Sequence, residues 1–336
     1  MTQRTVRTIA ASLAFAAFAH PQVSSSYVKG TYYFTTPQTE QSLKEAATMV
    51  RTVADAPQSS VDSATSSLAF SGPLDGVNFA EWVLPLIDKA TGEPGVREYK
   101  LRSGELGRVY FVPNAATPQA MQELLTVLRT VADVQRVYTN TASHAIVMRA
   151  PEWQALFADW IVGQLNKPSQ AKPDPQPAGF TVGGPDYRGL GHEARVNLLT
   201  GMTGQRQNQE VLTVLRAVGD IQKVFSYSPN HALILRAGDI DLQRGEWLIQ
   251  RLDMRAGTFS EPQVFTAPTG DDVTRVFYLP GTTPEGLQSI VTGLRTELKI
   301  KKMFSTTKPA ILAVRGTAGD VAATVMWLAA HQTPSE

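Results

Sequence analysis

Two histidines, four tryptophans, two sets of arginines and a Gly-x-x-Gly turn are the residues whose types and spacing invite a chemical reading. His144 and His231 each stand just before an apolar segment. Neither has a second His or a carboxylate at the spacing a zinc site needs, so both read as hairpin residues. Gly201-Met202-Thr203-Gly204 has the form of a nucleic-acid-binding KH loop. It precedes a helix instead of joining two and lacks a basic surround, so it reads as a turn and helix start. Trp82, Trp160, Trp247 and Trp327 would be sugar-stacking platforms if exposed, but each lies on a helix beside Leu, Ile or Val. Burial is the expectation for aromatics in such company. No Gly-rich phosphate cradle with its Lys, G-x-S-x-G elbow or H-E-x-x-H helix occurs. The acidic residues are scattered instead of paired for acid–base work. The expectation is therefore a protein that is not an enzyme and has no catalytic residues, cofactor or metal. A cell-wall or glycan-binding module is the alternative.

The arginines belong to a longer ruler. From Arg129, an aromatic follows after nine residues (Tyr138), an Arg after twenty (Arg149) and a Trp after thirty-one (Trp160). Arg216 repeats it with Phe225, Arg236 and Trp247. Arg295 gives Phe304 and Arg315, then Met326 with Trp327 one step beyond; Arg51 keeps only Trp82, with Ser60 and Ser71 between. A fixed period of this size marks a duplicated structural unit. Arg51, Arg129, Arg216 and Arg295 fall near a helix end, where a cation favours the negative end of the helix dipole and its stem covers apolar surface. Arg149, Arg236 and Arg315 end a strand and invite pairing with Asp133 or Asp220. Within units, however, Asp55 goes with Ser71 and Lys299 with Arg315, so the positions do not change together and no obligatory ion pair is expected. Lys299, Lys301 and Lys302 read as the solubilising charges of an edge strand.

The elements that must position these residues repeat as well. In the second unit, 108–112 alternates as a strand, and Thr117-Pro118 opens a helix with a hydroxyl cap and a proline at its first position. Met121, Leu124, Leu125, Leu128 and Ala132 make one apolar helix face. Segments 134–139 and 145–149 form a hairpin, and a second helix from about Glu152 closes the unit. The predicted fold class is α+β: a tandem array of four small β-α-β-β-α units joined by Pro/Gly-rich linkers. The units span 26–89, 106–166, 193–254 and 273–332, with a linker over 167–191 and shorter connectors near 90–105 and 256–271. Such joints predict beads that turn relative to one another instead of a rigid solenoid. The first unit is divergent. Its polar 56–67 stretch predicts a looser second strand, as in the cap of an array.

Composition sets the remaining bounds. The 336 residues are 43% hydrophobic and 18% charged with a net charge of +1, ample for several cores and without a global field to attract nucleic acid. Arg4 and Arg7 precede an apolar run to Phe18, and Ala17-Phe18-Ala19 supplies small residues at alternate positions. This predicts a signal peptide over 1–19, cleaved after Ala19, its apolar run too short for a membrane span. The chain has no cysteine, which excludes disulfides, thiolate metal sites and thiol nucleophiles. The mature chain is expected to be periplasmic or secreted, with no transmembrane segment.

The pattern resembles the periplasmic N-terminal, ring-building repeats of bacterial secretins. The segments that carry the likeness are "VLRTVADVQRVY", "NHALILRAG" and "WLIQRLD", with Val134 to Tyr138 and Ala145 to Arg149, Ile221 to Phe225 and Asn230 to Arg236, and Ile300 to Phe304 and Ala310 to Arg315. The resemblance implies side-by-side assembly into oligomeric rings and contacts with other periplasmic proteins. No β-rich channel region follows His331, so it is not expected to extend to a pore. The expected function is an exported scaffold or accessory protein whose partners are other proteins or further copies of itself, and not nucleic acid.

Overall fold

The computed structural model describes residues 27–89, 94–168, 177–183, 191–253, 263–268 and 270–331. The expected signal peptide and its cleavage site lie outside them, as does much of the 167–191 linker. The architecture is α+β, with eight α-helices and four small antiparallel sheets among the described residues.

Four groups of elements follow one another. The first is β1 (Val28–Tyr33), α1 (Glu40–Thr52), β2 (Gln58–Asp62), β3 (Ser67–Gly72) and α2 (Leu74–Asp88). The second is β4 (Gly95–Lys100), β5 (Leu106–Phe111), α3 (Pro118–Thr130), β6 (Arg136–Asn140), β7 (Ala145–Ala150) and α4 (Glu152–Leu165). The third is β8 (Ala178–Thr181), β9 (Glu193–Leu198), α5 (Gln205–Ala217), β10 (Lys223–Tyr227), β11 (Ala232–Ala237) and α6 (Asp239–Leu252). The fourth is β12 (Gln263–Thr266), β13 (Val273–Tyr278), α7 (Pro284–Thr296), β14 (Lys302–Thr307), β15 (Ala310–Gly316) and α8 (Ala318–His331).

The sheet orders are β1-β3-β2, β4-β5-β7-β6, β8-β9-β11-β10 and β12-β13-β15-β14. The first group has the expected β-α-β-β-α order. The other three carry one more strand, and β4, β8 and β12 lie in stretches read from sequence as connectors. Their alternation is short, four to six residues, and Pro- and Gly-rich neighbours mask it. The polar 56–67 stretch also differs from expectation. It forms β2, paired with β3 in full register from Gln58↔Ser71 to Asp62↔Ser67.

The helices begin and end for local reasons. Thr39, Thr117 and Thr283 each accept a backbone N–H in the first turn of their helix. Each first helix then ends in the same way: Asp55, Asp133, Asp220 and Lys299 take left-handed backbone conformations, with φ of 63°, 58°, 59° and 59°. The following N–H returns to the helix, as in Val134 N–H to the Leu128 carbonyl at 3.1 Å. The helix end is thus closed by a left-handed residue, an aspartate or lysine where glycine is usual.

The core is not divided into four beads. Strand β7 sends Ile146, Met148 and Ala150 into a core shared with α3 and α4, while Ala145 and Val147 join one built on α1 and α2. Likewise β11 gives Leu233 and Leu235 to its own helices and Ala232 and Ile234 to those of the preceding group. Ile311 and Ala313 of β15 face back, Leu312 and Val314 forward. Each of the first three helix pairs therefore lies between its own sheet and the next, and the described residues form a layered stack. This corrects the expectation of beads turning on their linkers. A fully buried aliphatic side chain contributes about 1.5–3 kcal/mol, and the shared cores hold many.

Candidate functional site

Arg236 and Arg244, the two most buried charged side chains, lie at or beside a layer junction, whereas Arg108, paired with Asp159 and Glu98, and Asp88 are buried within their own groups. At the second junction the left-handed turn after α3 aims Asp133 at the next sheet. Arg236 donates to its carboxylate at 3.1 Å and to the Val131 carbonyl at 2.9 Å, and Lys223 pairs with the same carboxylate. The Arg236 side chain is 0% exposed and lies over the Phe157 ring. A buried guanidinium is tolerated only with such charged and carbonyl acceptors.

The third junction repeats this geometry. Arg315 donates to Asp220 at 2.8 Å and to the Val218 carbonyl at 3.2 Å, with Lys302 on the same carboxylate. It is extended by Asp272, which accepts from Arg315 and from Arg244 of α6, each at 2.7 Å. The Arg315 hydrogen bond, against the opposing effect of burial and with help from Arg244, holds the Asp272 carboxyl below its ordinary range. At the first junction Asp55 meets Arg136 at 3.5 Å, and Arg149 pairs with Glu105 at 2.6 Å.

The arginines at the strand ends are thus ion-paired, Arg236 and Arg315 with the aspartate of the preceding group and Arg149 with Glu105 of its own. For Arg236 and Arg315 a comparison within units could not find the pair, because the aspartate of one group serves the arginine of the next. Among the described residues Ser71 has no helix layer before it and Lys299 no sheet after it. Both departures fall where the pair has no second member.

The tryptophans mark the same junctions. Trp82 lies 5.3 Å from Tyr99, Trp160 5.4 Å from Phe180 and Trp247 5.9 Å from Phe265, measured between ring centroids. In each case a helix of one group meets the added strand of the next, so these rings are half-buried between layers and their faces are taken up. Trp327 instead crosses its own α7 beside Gly293, donates to Glu297 at 2.7 Å and stacks on His331.

Polar side chains also tie helix to hairpin. Ser228 donates its backbone N–H and hydroxyl to Glu123 at 2.8 and 2.9 Å, and Thr307 does the same to Glu210 at 3.1 and 2.7 Å. Asp88, Asn166 and Asp253, at the C-terminal ends of the second helices, hold the loop that leads into the first. Asp88 accepts from Thr35, Thr36 and Tyr32, and Asp253 from Thr200, Gly201 and Met202. Burial pushes the Asp88 carboxyl up, but the bonds from Thr36 and Thr35 outweigh it and bring it down to about 2. Burial and the Asp88 bond push the Tyr32 hydroxyl up to about 12. None of these positions was singled out from sequence, although Asp88, Asn166 and Asp253 recur at a constant distance from Arg51, Arg129 and Arg216.

The other arginines stay within their groups. Arg129 donates to the Val137 carbonyl at 3.0 Å, Arg216 to the Val224 carbonyl at 2.9 Å and Arg51 to the Ser59 hydroxyl at 3.0 Å, each clamping the edge strand of its sheet. Arg295 makes no such bond among the described residues. His144 and His231 occupy left-handed turns, with φ of 46° and 54°, whose carbonyls accept the Val112 and Leu199 N–H groups. The Gly201–Gly204 turn is held by Asp253, and a side chain at Gly201 would meet the Asp253 carbonyl at 2.4 Å. Among the described residues no group of three or more His, Asp or Glu gathers as a metal site, and no helix is long and apolar enough to cross a membrane.

Comparison with known proteins gives faint likeness. No family model matches the chain, and no curated protein matches it. Among solved structures, ExeD of Aeromonas hydrophila aligns at 14% identity over 87% of this chain and 59% of its own, with a TM-score of 0.16. The type II secretion system secretin GspD of E. coli K12 aligns at 11% identity over 87% and 58%, also at 0.16. GspD in the ETEC pilotin–secretin complex with AspS aligns at 12% over 90% and 54%, again at 0.16. The chain spans less than two thirds of these proteins, and at that score the likeness establishes neither fold nor function for it.

Proposed function

We propose that this protein is an exported, non-enzymatic scaffold or accessory protein that mediates protein–protein assembly, as the resemblance to secretin N-domains implies. The mature chain is periplasmic or secreted, starts at His20, and consists of four units over 26–89, 106–166, 193–254 and 273–332. One observation carries the reading: at two junctions a buried arginine is paired with an aspartate of the preceding layer. Arg236 with Asp133, and Arg315 with Asp220 and Asp272, are spent on holding sheets against helices. A stack of this kind presents long flanks and free ends to partners while its interior stays shut. The glycan-binding alternative loses its basis at Trp82, Trp160 and Trp247, whose rings meet aromatic partners.

The test is cross-linking in the native cell, with fractionation and N-terminal sequencing of the product. The proposal expects a chain beginning at His20 outside the cytoplasm and specific cross-links to other polypeptides or further copies. An uncleaved cytoplasmic chain without such cross-links would overturn it.

A further inference from the structure

The three junctions are not tied alike. At the second and third, Arg236 and Arg315 reach back to Asp133 and Asp220 and to the Val131 and Val218 carbonyls. Their counterpart in β7, Arg149, turns instead to Glu105 of its own group at 2.6 Å, and among the described residues it makes no bond to Asp55 or to the Val53 carbonyl. The tie from helix to hairpin is missing as well. Glu123 and Glu210 each accept two bonds from the next hairpin, through Ser228 and Thr307. Glu45, at the same place in α1, accepts from Gln41 of its own helix at 3.2 Å and, among the described residues, receives nothing from Thr141, which stands where Ser228 does.

The polar ties seen at the first junction lie at its rim. Arg136 meets Asp55 at 3.5 Å with side chains 40% and 53% exposed, and the Ser103 N–H donates to Asp75 at 3.1 Å in an exposed bond. Exposed pairs of this kind contribute little. The first helix pair is therefore held on the second sheet mainly by apolar contact: Leu101, Val109, Phe111, Ala145 and Val147 against α1 and α2, with Trp82 against Tyr99. Such contact is non-directional. Opening the second junction takes Asp133 from the buried Arg236, and opening the third takes Asp220 from Arg315 and Asp272 from Arg244. Arg149 keeps Glu105 whether the first is closed or open.

We infer that the stack opens at its first junction ahead of the other two: α1 and α2 lift together with their own sheet and bare the apolar face of Val109, Phe111, Ala145 and Val147. The opened form is a minor one, reached from the closed stack. The second sheet thereby carries a face that is shut in the stack and available on opening.

The absence of cysteine lets single thiols report on each junction of the full chain. Ala145→Cys, Ala232→Cys and Ala313→Cys each place a thiol on the strand face that the preceding helix pair covers. Their rates with dithiobis(nitrobenzoate), each relative to the same chain unfolded in urea, give the opening of each junction. Ala145→Cys is expected to react roughly tenfold or more faster than the other two, and faster by a similar factor than Ala150→Cys on the opposite face of β7, which reports unfolding of the second group. Hydrogen exchange at β3 is expected to give an opening constant roughly tenfold below that of Ala145→Cys, because the first group parts as a folded unit. Glu123→Ala, which removes the tie to Ser228, brings the Ala232→Cys rate up toward that of Ala145→Cys, and Asp133→Asn does the same. An Ala145→Cys rate no higher than at the other junctions, equal rates on the two faces of β7, exchange at β3 as fast as Ala145→Cys reacts, or an Ala232→Cys rate indifferent to both variants would overturn the inference.

Discussion

Arg236 is buried completely, and what makes that tolerable is a carboxylate contributed by the preceding layer. Removing one member of such a pair strands the other, at a cost of roughly 3–5 kcal/mol. Asp133→Ala is accordingly expected to destabilise the protein by about 3 kcal/mol in urea unfolding, while Asp133→Ala with Arg236→Met recovers most of it. Equal losses in the single and double variants would show the pair to be uncoupled. Asp88 and Tyr32 make a second residue-scale case, with the sign of the pH effect set by their shifts. The Asp88 carboxyl is held at about 2 against an ordinary 3.8, so its contribution is present above about pH 4 and lost as pH falls toward 2. The Tyr32 hydroxyl, raised to about 12 from 10.0, contributes below pH 10 and ceases to do so as pH rises toward 12. Asp88→Asn is expected to flatten the acid limb of a thermal-melt pH profile. An unchanged acid limb would refute the assignment.

At the scale of elements, the aromatic contacts between helix and added strand divide the tryptophans into two kinds. Trp160→Ala opens a junction and is expected to cost about 3 kcal/mol, the low end for a large aromatic because the ring is half-buried. Trp327→Ala, with no following sheet, is expected to cost less than half as much in the same denaturation experiment. Equal costs would mean that the junction adds nothing. The helices, their threonine caps and the apolar hairpins were legible in the sequence because each follows from local spacing. Strands β4, β8 and β12 were not, since four to six residues of weak alternation gain meaning only from the aromatic they bring to a tryptophan far along the chain. One signal was present: "AIVMRA", "ALILRA" and "AILAVRG" are almost unbroken apolar runs, as strands buried on both faces should be, whereas "SLAFSG" alternates small polar and apolar residues as a strand buried on one face does. The ion pairs were hidden for a related reason, because their register runs from Asp133 to Arg236 and from Asp220 to Arg315 and not within a unit.

For the whole molecule, the central claim is that the four groups form one stack of alternating sheets and helix pairs. Lys44, Gln122, Gln209 and Gln288 occupy the same exposed position in α1, α3, α5 and α7. The natural absence of cysteine allows each to be changed to Cys and spin-labelled in pairs without other changes. Pulsed electron–electron double resonance on Lys44→Cys/Gln122→Cys, Gln122→Cys/Gln209→Cys and Gln209→Cys/Gln288→Cys then reads the distance across each junction. A single narrow distribution for every pair is the expected result. Broad distributions, of the kind given by domains that turn independently on flexible linkers, would contradict the stack.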